Sequence, residues 1–408
     1  MNAMAAPNPW TRIFIPFAVG YFLSYLLRNA NAVISPELRA DLGLTAADLG
    51  LLTSVYLLTF GAIQLPLGIL LDRYGPRRVE ATLLLMCAAG CALFAFGNGM
   101  PQLTLARALI GLGVSACLMA SFKSFSLWFP IERQASLNAA IMAAGGLGAL
   151  AASSPLGAML PLLGWRGIFL ALAAIALLVA VLIYFTPEKP AGGQRETLAQ
   201  QVAGLGTIFR SRAYWRHAPQ TTLIVGGFMA LQGLWALPLM IATNGMTRER
   251  AAFHLLLMAA AMLAGFLLIA FFVRRLAHAG LPPSRLLVVG MGGGLIATLL
   301  IVLDAGPTWL LWPSLGLVFS VGNLAYALLS AEFPVALAGR VNTALNFGAF
   351  VGAFAIQWLF GVSVDAFQTH GYAPDSAYRL TLACLLALQT ASWLWFLAGR
   401  KQRDMLAQ

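Results

Sequence analysis

The residues best equipped for chemistry in this chain are few, and Arg28 is the foremost. A guanidinium stays charged at any physiological pH and presents a planar fork of donors, which suits a bidentate grip on a carboxylate or another oxyanion. Tyr21, Tyr25 and Arg28 are spaced by four and three residues, so on a helix they share one face. Counted from Phe14, Arg28 lies roughly 21 Å along an apolar run, past the midpoint of a ~30 Å hydrocarbon core. An arginine at that depth must meet water, a partner or a ligand. Structural pairing with polar groups of neighbouring helices is the competing reading. Asn29 adds a second polar group to the same segment.

Two more cations lie inside apolar runs. Arg107 stands about six residues into its run, near Gly111, where a structural pair or a snorkelled head group is favoured over a direct role. Lys123 is about four residues from the end of the same run; snorkelling explains it, and lining an inner cavity that attracts anions is the alternative. Neutral polar groups recur at helical spacing: Phe228, Gln232 and Trp235; Ser320, Asn323, Tyr326 and Ser330; Asn342, Asn346, Ala353 and Gln357. Each costs free energy in hydrocarbon unless it finds a partner or water. Gln232, Trp235, Tyr326, Asn342 and Asn346 are therefore candidates to line a wet cavity, with hydrogen bonding between helices as the competing reading.

No carboxylate is expected deep in these runs, because Glu37, Asp41, Asp304, Glu332 and Asp365 fall at or beyond their ends. The interior charge is then positive, which attracts an anion and repels a lipophilic cation. It also leaves weak support for proton symport through a buried acid. His217, His254, His278 and His370 are peripheral, and His254 reads as solvated. No phosphate-binding loop, metal-ligand cluster or catalytic triad stands out, so neither an enzyme, a cofactor nor a bound metal is expected.

The elements that must carry these residues follow from composition. Of 408 residues, 60% are hydrophobic and 10% charged, with a mean hydropathy of +0.82. Soluble domains carry about 25% charged residues, so a globular cytoplasmic fold is excluded. Charges and turn residues divide the chain into twelve apolar segments, near 14–35, 48–71, 79–99, 101–127, 136–160, 166–185, 220–242, 252–275, 285–305, 308–331, 341–363 and 378–398. These read as transmembrane helices. A linker over 186–219 divides them into residues 1–185 and 220–408, six segments each, and a short amphipathic helix around Leu198–Phe209 is expected at the membrane surface. The net charge of +11 sits in loops between apolar runs rather than on a nucleic-acid-binding face. With the N-terminus inside, seventeen Lys and Arg fall on the cytoplasmic side and five outside (Arg39, Arg166, Arg248, Arg250 and Arg379). Both termini are therefore expected in the cytoplasm. The first run continues to about Val33 without a small-residue cleavage site, so no cleaved signal is expected. Cys87, Cys91, Cys117 and Cys384 read as packed side chains.

Between the second and third segments lies Gly68-Ile-Leu-Leu-Asp72-Arg73-Tyr74-Gly75-Pro76-Arg77-Arg78. Such a basic loop is costly to move across a bilayer and fixes the orientation of its neighbours. The halves also echo each other: Pro130 precedes Asn138 by eight residues, and Pro334 precedes Asn342 by eight, both at the junction of a fourth and fifth helix. The loop matches G-x-L-x-D-R-x-G-x-R-R in full, and the chain resembles the major facilitator superfamily over its whole length. Arg107, Gly111 and Gly113 resemble a second pattern of that family. Tyr25, Arg28, Asn29 and Asn31 resemble the first-helix segment of its organic-anion transporters, with Leu27 where those carry an aspartate. The resemblance implies an all-α membrane protein with twelve transmembrane helices in two pseudo-symmetric six-helix bundles. It implies that Gly68, Asp72, Arg73, Gly75, Arg77, Arg78 and Arg107 serve gating, and that Arg28 engages the negative group of a substrate. A degenerate version of the loop in the second half keeps Gly265, Arg274 and Arg275.

The leading expectation is a secondary or facilitative transporter of a small carboxylate-bearing anion working by alternating access. It is expected as a monomer in the inner membrane, with the bilayer and, where ion-coupled, a proton or sodium ion as partners. Carriers of amino acids or dipeptides, a multidrug exporter and a non-transporting receptor or scaffold are the alternatives. The exporter reading is weakened in the fifth segment, where Gly148, Pro155 and Gly157 stand but Ser154 replaces a glycine.

Overall fold

A backbone in hydrocarbon must satisfy its own hydrogen bonds, so long apolar sequences fold there as helices. The computed structural model describes residues 9–189, 205–334 and 337–406, and the regular elements among them are helical. They are α1 (Trp10–Leu42), α2 (Ala46–Tyr74), α3 (Pro76–Phe96), α4 (Met100–Trp128), α5 (Ile131–Ala151) and α6 (Ser154–Tyr184). After these come α7 (Arg212–Asn244), α8 (Arg248–His278), α9 (Pro283–Val302), α10 (Thr308–Ser330), α11 (Ala338–Thr369) and α12 (Pro374–Leu406). Among the described residues, eleven spans are long and apolar enough to cross a membrane, while the apolar part of α5, Ser136–Ala151, is shorter.

Local signals set the helix ends. Thr45 and Asp48 form a reciprocal capping box at the start of α2, and proline occupies the first turn of α3, α4, α6 and α9. Gly75, between α2 and α3, has φ +80°, a conformation that strains any residue with a β-carbon. The fifth and sixth expected segments meet differently from the sequence reading. The chain breaks at Ala152–Ser153, just before Pro155, and again at Gly164 inside α6, where φ 61° and ψ 169° interrupt the helix. α7 begins at Arg212, within the expected linker, because the Ser211 side chain caps it by accepting from the Ala213 N–H. Most of the expected surface helix, Leu198–Phe209, lies outside the described residues, as do the side chains of Asp72 and Arg274.

Burial separates inner from outer helices. In their most apolar windows α7 is 89% buried and α8 only 22%, so α7 runs through the centre while α8 turns much of its surface to lipid. Leu162, Phe185, Phe271, Leu178 and Trp395 are exposed, as the outer face of a membrane protein requires. α2 packs along α4 and α11, α3 against α4 and α6, α1 against α5 and α7, and α8 against α5 and α10. The two ends differ. Where α1 passes into α2, the first six helices are tied to the last six: Glu37 pairs with Arg248, Arg248 donates to the Val33 carbonyl at 3.2 Å, and the Asp365 carboxylate accepts from the Ala46 and Ala47 amides at 3.2 and 2.7 Å. At the opposite, arginine-rich end, ion pairs join elements of the same half: Arg77 and Arg78 reach Glu188 at 2.9 and 3.6 Å, and Arg216 pairs with Glu332.

Candidate functional site

α1 brings Arg28 to the seam between the two sets of helices. Its guanidinium carbon lies 4.6 Å from the Tyr25 ring centre, 4.9 Å from Phe60 of α2 and 5.3 Å from Phe350 of α11. Phe60 and Phe350 stack at 4.5 Å. A cation over aromatic faces is held by the ring quadrupoles, which orient the guanidinium without neutralising it. Among the described residues Arg28 forms no ion pair, and its Nε has no hydrogen-bond partner. The cage therefore fixes a full positive charge and leaves donor capacity for a ligand.

A support lies behind the cage. The Tyr56 hydroxyl donates to the Ser24 carbonyl at 3.3 Å and is within reach of Arg28, while its ring lies 4.8 Å from the Arg107 guanidinium. Arg107 is 1% exposed and donates to the Leu27 carbonyl at 3.4 Å, so it braces α1 one residue before Arg28. It is not a snorkelled head group. Gly111 lets α4 close onto α2, since a β-carbon there would strike the Tyr56 carbonyl.

The other expected residues divide. Tyr326 of α10 lies within electrostatic reach of Tyr25 and Arg28 and donates to Asn346 of α11 at 3.1 Å. Gln232 belongs to a π-helical turn, Leu231–Trp235, and its buried Nε2 has no hydrogen-bond partner among the described residues. The next residue, Gly233, faces the Arg28 carbonyl, so this turn abuts α1 beside the cage. Widened turns of this kind recur at functional sites. Tyr21 stands edge-on to Tyr25 at 5.2 Å and reaches the Met142 sulfur at 3.8 Å, behind the cage. Asn29 donates back to the Tyr25 carbonyl at 2.9 Å, within its own helix. Asn342 is exposed and accepts from Ser330 at 2.7 Å, away from Arg28. Trp235 is fully buried, donates to the Gln357 carbonyl at 2.8 Å and stacks on Phe360, which makes it framework. Lys123 is half-buried in the last part of α4.

In the loop, Gly68 is exposed on α2, and Arg73 is exposed 5.3 Å from the Tyr74 ring. Gly75 lies against the Glu188 side chain, which Arg77 and Arg78 hold.

Sequence reasoning missed Tyr56, Phe60 and Phe350. The first two had a signal, an i, i+4 aromatic pair on α2. It also missed Glu80. The expectation of no deep carboxylate fails because α3 starts at Pro76 rather than near Val79, which puts Glu80 a full turn inside at 0% exposure. His254 is likewise buried, its ring nitrogens meeting the Arg250 carbonyl at 2.8 Å and the Thr308 hydroxyl at 3.2 Å.

Comparison with known proteins follows the same lines. The family model described as Major Facilitator Superfamily matches residues 17–356. The chain is 26% identical over 217 residues to the "Probable L-galactonate transporter" of Escherichia coli (strain K12), covering 52% of this chain and 48% of that protein. It is 26% identical over 187 residues to the "Probable sulfoacetate transporter SauU" of Cupriavidus necator, covering 46% and 43%. The matched region thus spans about half the length of these curated relatives. A crystal structure of a bacterial homolog of the human lysosomal transporter Spinster, inward-facing and unoccupied, superposes with a TM-score of 0.75 over 97% of this chain and 98% of the other. At 16% identity that likeness speaks for the fold alone.

Proposed function

The chain belongs to the Major Facilitator Superfamily, and from that premise we propose that it is a secondary transporter of a small, carboxylate-bearing organic anion. The observation that carries this reading is Arg28: a cation with no ion pair among the described residues, held by rings from both sets of helices. A carboxylate approaching the guanidinium edge completes the charge balance and gains charge-assisted hydrogen bonds. Tyr326, Asn346 and Gln232 supply neutral groups for hydroxyls on the same molecule. The names of the relatives, galactonate and sulfoacetate among them, are those of small anions.

In this reading residues 1–185 and 220–408 are two six-helix bundles joined by 186–219, and they rock about the seam at Arg28. The arginine-rich end faces the cytoplasm, with Asp72, Arg73, Arg77 and Arg78 controlling closure there. The tie of Glu37 to Arg248 and of Asp365 to α2 joins the two sets at the other end, which supports an inward-opening site while those ties hold.

The test is a thermal-shift screen of the purified protein against monocarboxylates, dicarboxylates, sugar acids, dipeptides and lipophilic cations, repeated on Arg28→Ala. A stabilising anion whose effect vanishes in the variant is the expected result. Stabilisation by a lipophilic cation that survives the substitution overturns the reading and makes Arg28 structural.

A further inference from the structure

Glu80 is the buried ionisable group the anion site leaves unexplained. It lies in α3, fully buried, and among the described residues its carboxyl meets no charged partner, only the Cys117 thiol. Three elements enclose it. From α1 comes the Gly20 backbone, so close that a β-carbon would lie 2.6 Å from Oε1. The Ile183 side chain packs at the same place from α6, and from α4 comes the Cys117 thiol. The titratable group that meets it is Cys117, and Tyr21, the residue after Gly20, lies within electrostatic reach of that thiol. Neither nearby cation on these elements pairs with Glu80 among the described residues. Arg28 is two turns along α1 in its aromatic cage, and Arg77, three residues back along α3, is committed to Glu188 at 2.9 Å.

An ionised carboxylate in such a place would forfeit several kcal/mol of solvation with only a weakly donating thiol to replace it. As a purely structural element it is a poor choice, since an apolar side chain of the same volume would pack there without that liability. It is the fifth residue of α3, about one turn from the arginine-rich end, so parting of the helices there would open it to water.

We propose that Glu80 is a proton-binding site, neutral in the conformation described here and ionised when α1, α4 and α6 part around it. On release the proton passes to water at the arginine-rich end, and the new carboxylate falls within reach of Arg77 once that side chain leaves Glu188. α1 and α4 also hold Arg28 and its brace Arg107, so the conformations that differ in proton affinity at Glu80 also present Arg28 differently. Proton and anion movements are then coupled without a carboxylate in the anion site. The coupling rests on the transport reading above; the protonation does not.

The experiment has two arms on the full chain in lipid. Infrared difference spectra across a pH titration report a buried, protonated carboxyl as a distinct C=O band. The band is expected at neutral pH, lost in Glu80→Gln, and shifted rather than lost in Gly20→Ala, which displaces the carboxyl without removing it. Absence of the band in the native protein, or its persistence in Glu80→Gln, overturns the proposal. In the second arm, proteoliposomes are given L-galactonate and sulfoacetate with and without a pH gradient. Glu80→Gln should retain counterflow but lose gradient-driven accumulation. Accumulation equal to the native protein overturns the coupling. If the native protein moves neither of these anions, the anion reading fails for them, and the infrared band alone decides whether Glu80 binds the proton.

Discussion

Arg28, Arg107 and Glu80 all lie in α1–α6, whereas the interior of α7–α12 holds buried amides: Gln220, Gln232, Gln357 and Gln389. The first set of helices thus carries the guanidinium charge and the buried acid, and the second meets them with dipoles. The difference has a consequence for a carrier. A ligand held mainly by Arg28 would keep most of its binding energy whichever way the second set moved, because Tyr56 and Arg107 bind the α1 backbone beside the cation within the first set. The second set adds neutral hydrogen bonds worth about 1 kcal/mol each, small enough to be made and broken in every cycle. A fixed charge on each side would hold the anion in the closed state and slow its release.

The largest expected effect breaks the charged side of this comparison. Arg28→Ala should weaken binding of the anion identified by thermal shift at least about 100-fold, because two charge-assisted hydrogen bonds at about 1.5–3 kcal/mol each are lost. Calorimetry measures it, and the melting temperature without ligand serves as the folding control. Arg28→Lys, which keeps the charge but loses the fork and the ring stacking, should fall between the two. Affinity unchanged in both variants would remove Arg28 from the site.

The next change puts a charge where the comparison finds none. Gln232→Glu places a carboxylate in the π-turn that abuts α1 at Arg28, where it competes with the anion for the guanidinium. A neighbouring opposite charge in a partly wet site contributes about 1–4 kcal/mol at 4 Å, so a loss of about tenfold at neutral pH is expected. The loss should shrink as pH falls, since protonating the new carboxyl restores a neutral side chain. Unchanged affinity at neutral pH would mean that Gln232 and Arg28 do not face one ligand.

Much of this asymmetry was legible in the sequence, and its limits have physical causes. Arg28 stood out because a guanidinium in an apolar run has no cheap explanation, and Tyr25 follows from helical spacing. Phe350 did not stand out, since an aromatic residue in a membrane helix is unremarkable until the packing of α2 on α11 sets it against Phe60. Trp235 and Gln232 lie three residues apart and read alike, yet one donates to the Gln357 carbonyl and the Nε2 of the other has no partner among the described residues. That distinction depends on which neighbour each meets inside a widened turn, and no periodicity encodes it. Glu80 was lost to a boundary: three residues at the start of α3 separate a solvated helix end from a buried acid. The fifth and sixth helices posed a related problem. The gap expected between 160 and 166 holds the break at Gly164, but the break at Ala152–Ser153 falls in a run of small residues that gives no local warning beyond Pro155.

The smallest effect tests the neutral side. Tyr326 donates to Asn346, joining α10 to α11 across from Arg28. Tyr326→Phe removes that hydroxyl and nothing else of the ring, so anion affinity should fall by about fivefold, the worth of roughly 1 kcal/mol. Because the hydroxyl and the amide work as a pair, Asn346→Ala should cost a similar amount and the double variant little more than either alone. The response of binding to added salt should stay as in the native protein, since the charge that attracts the anion sits on α1 and is untouched. A loss as large as that of Arg28→Ala would instead place a principal share of the binding energy in α7–α12. The anion would then be held from both sides, and its release would require Tyr326 and Asn346 to separate before Arg28 lets go.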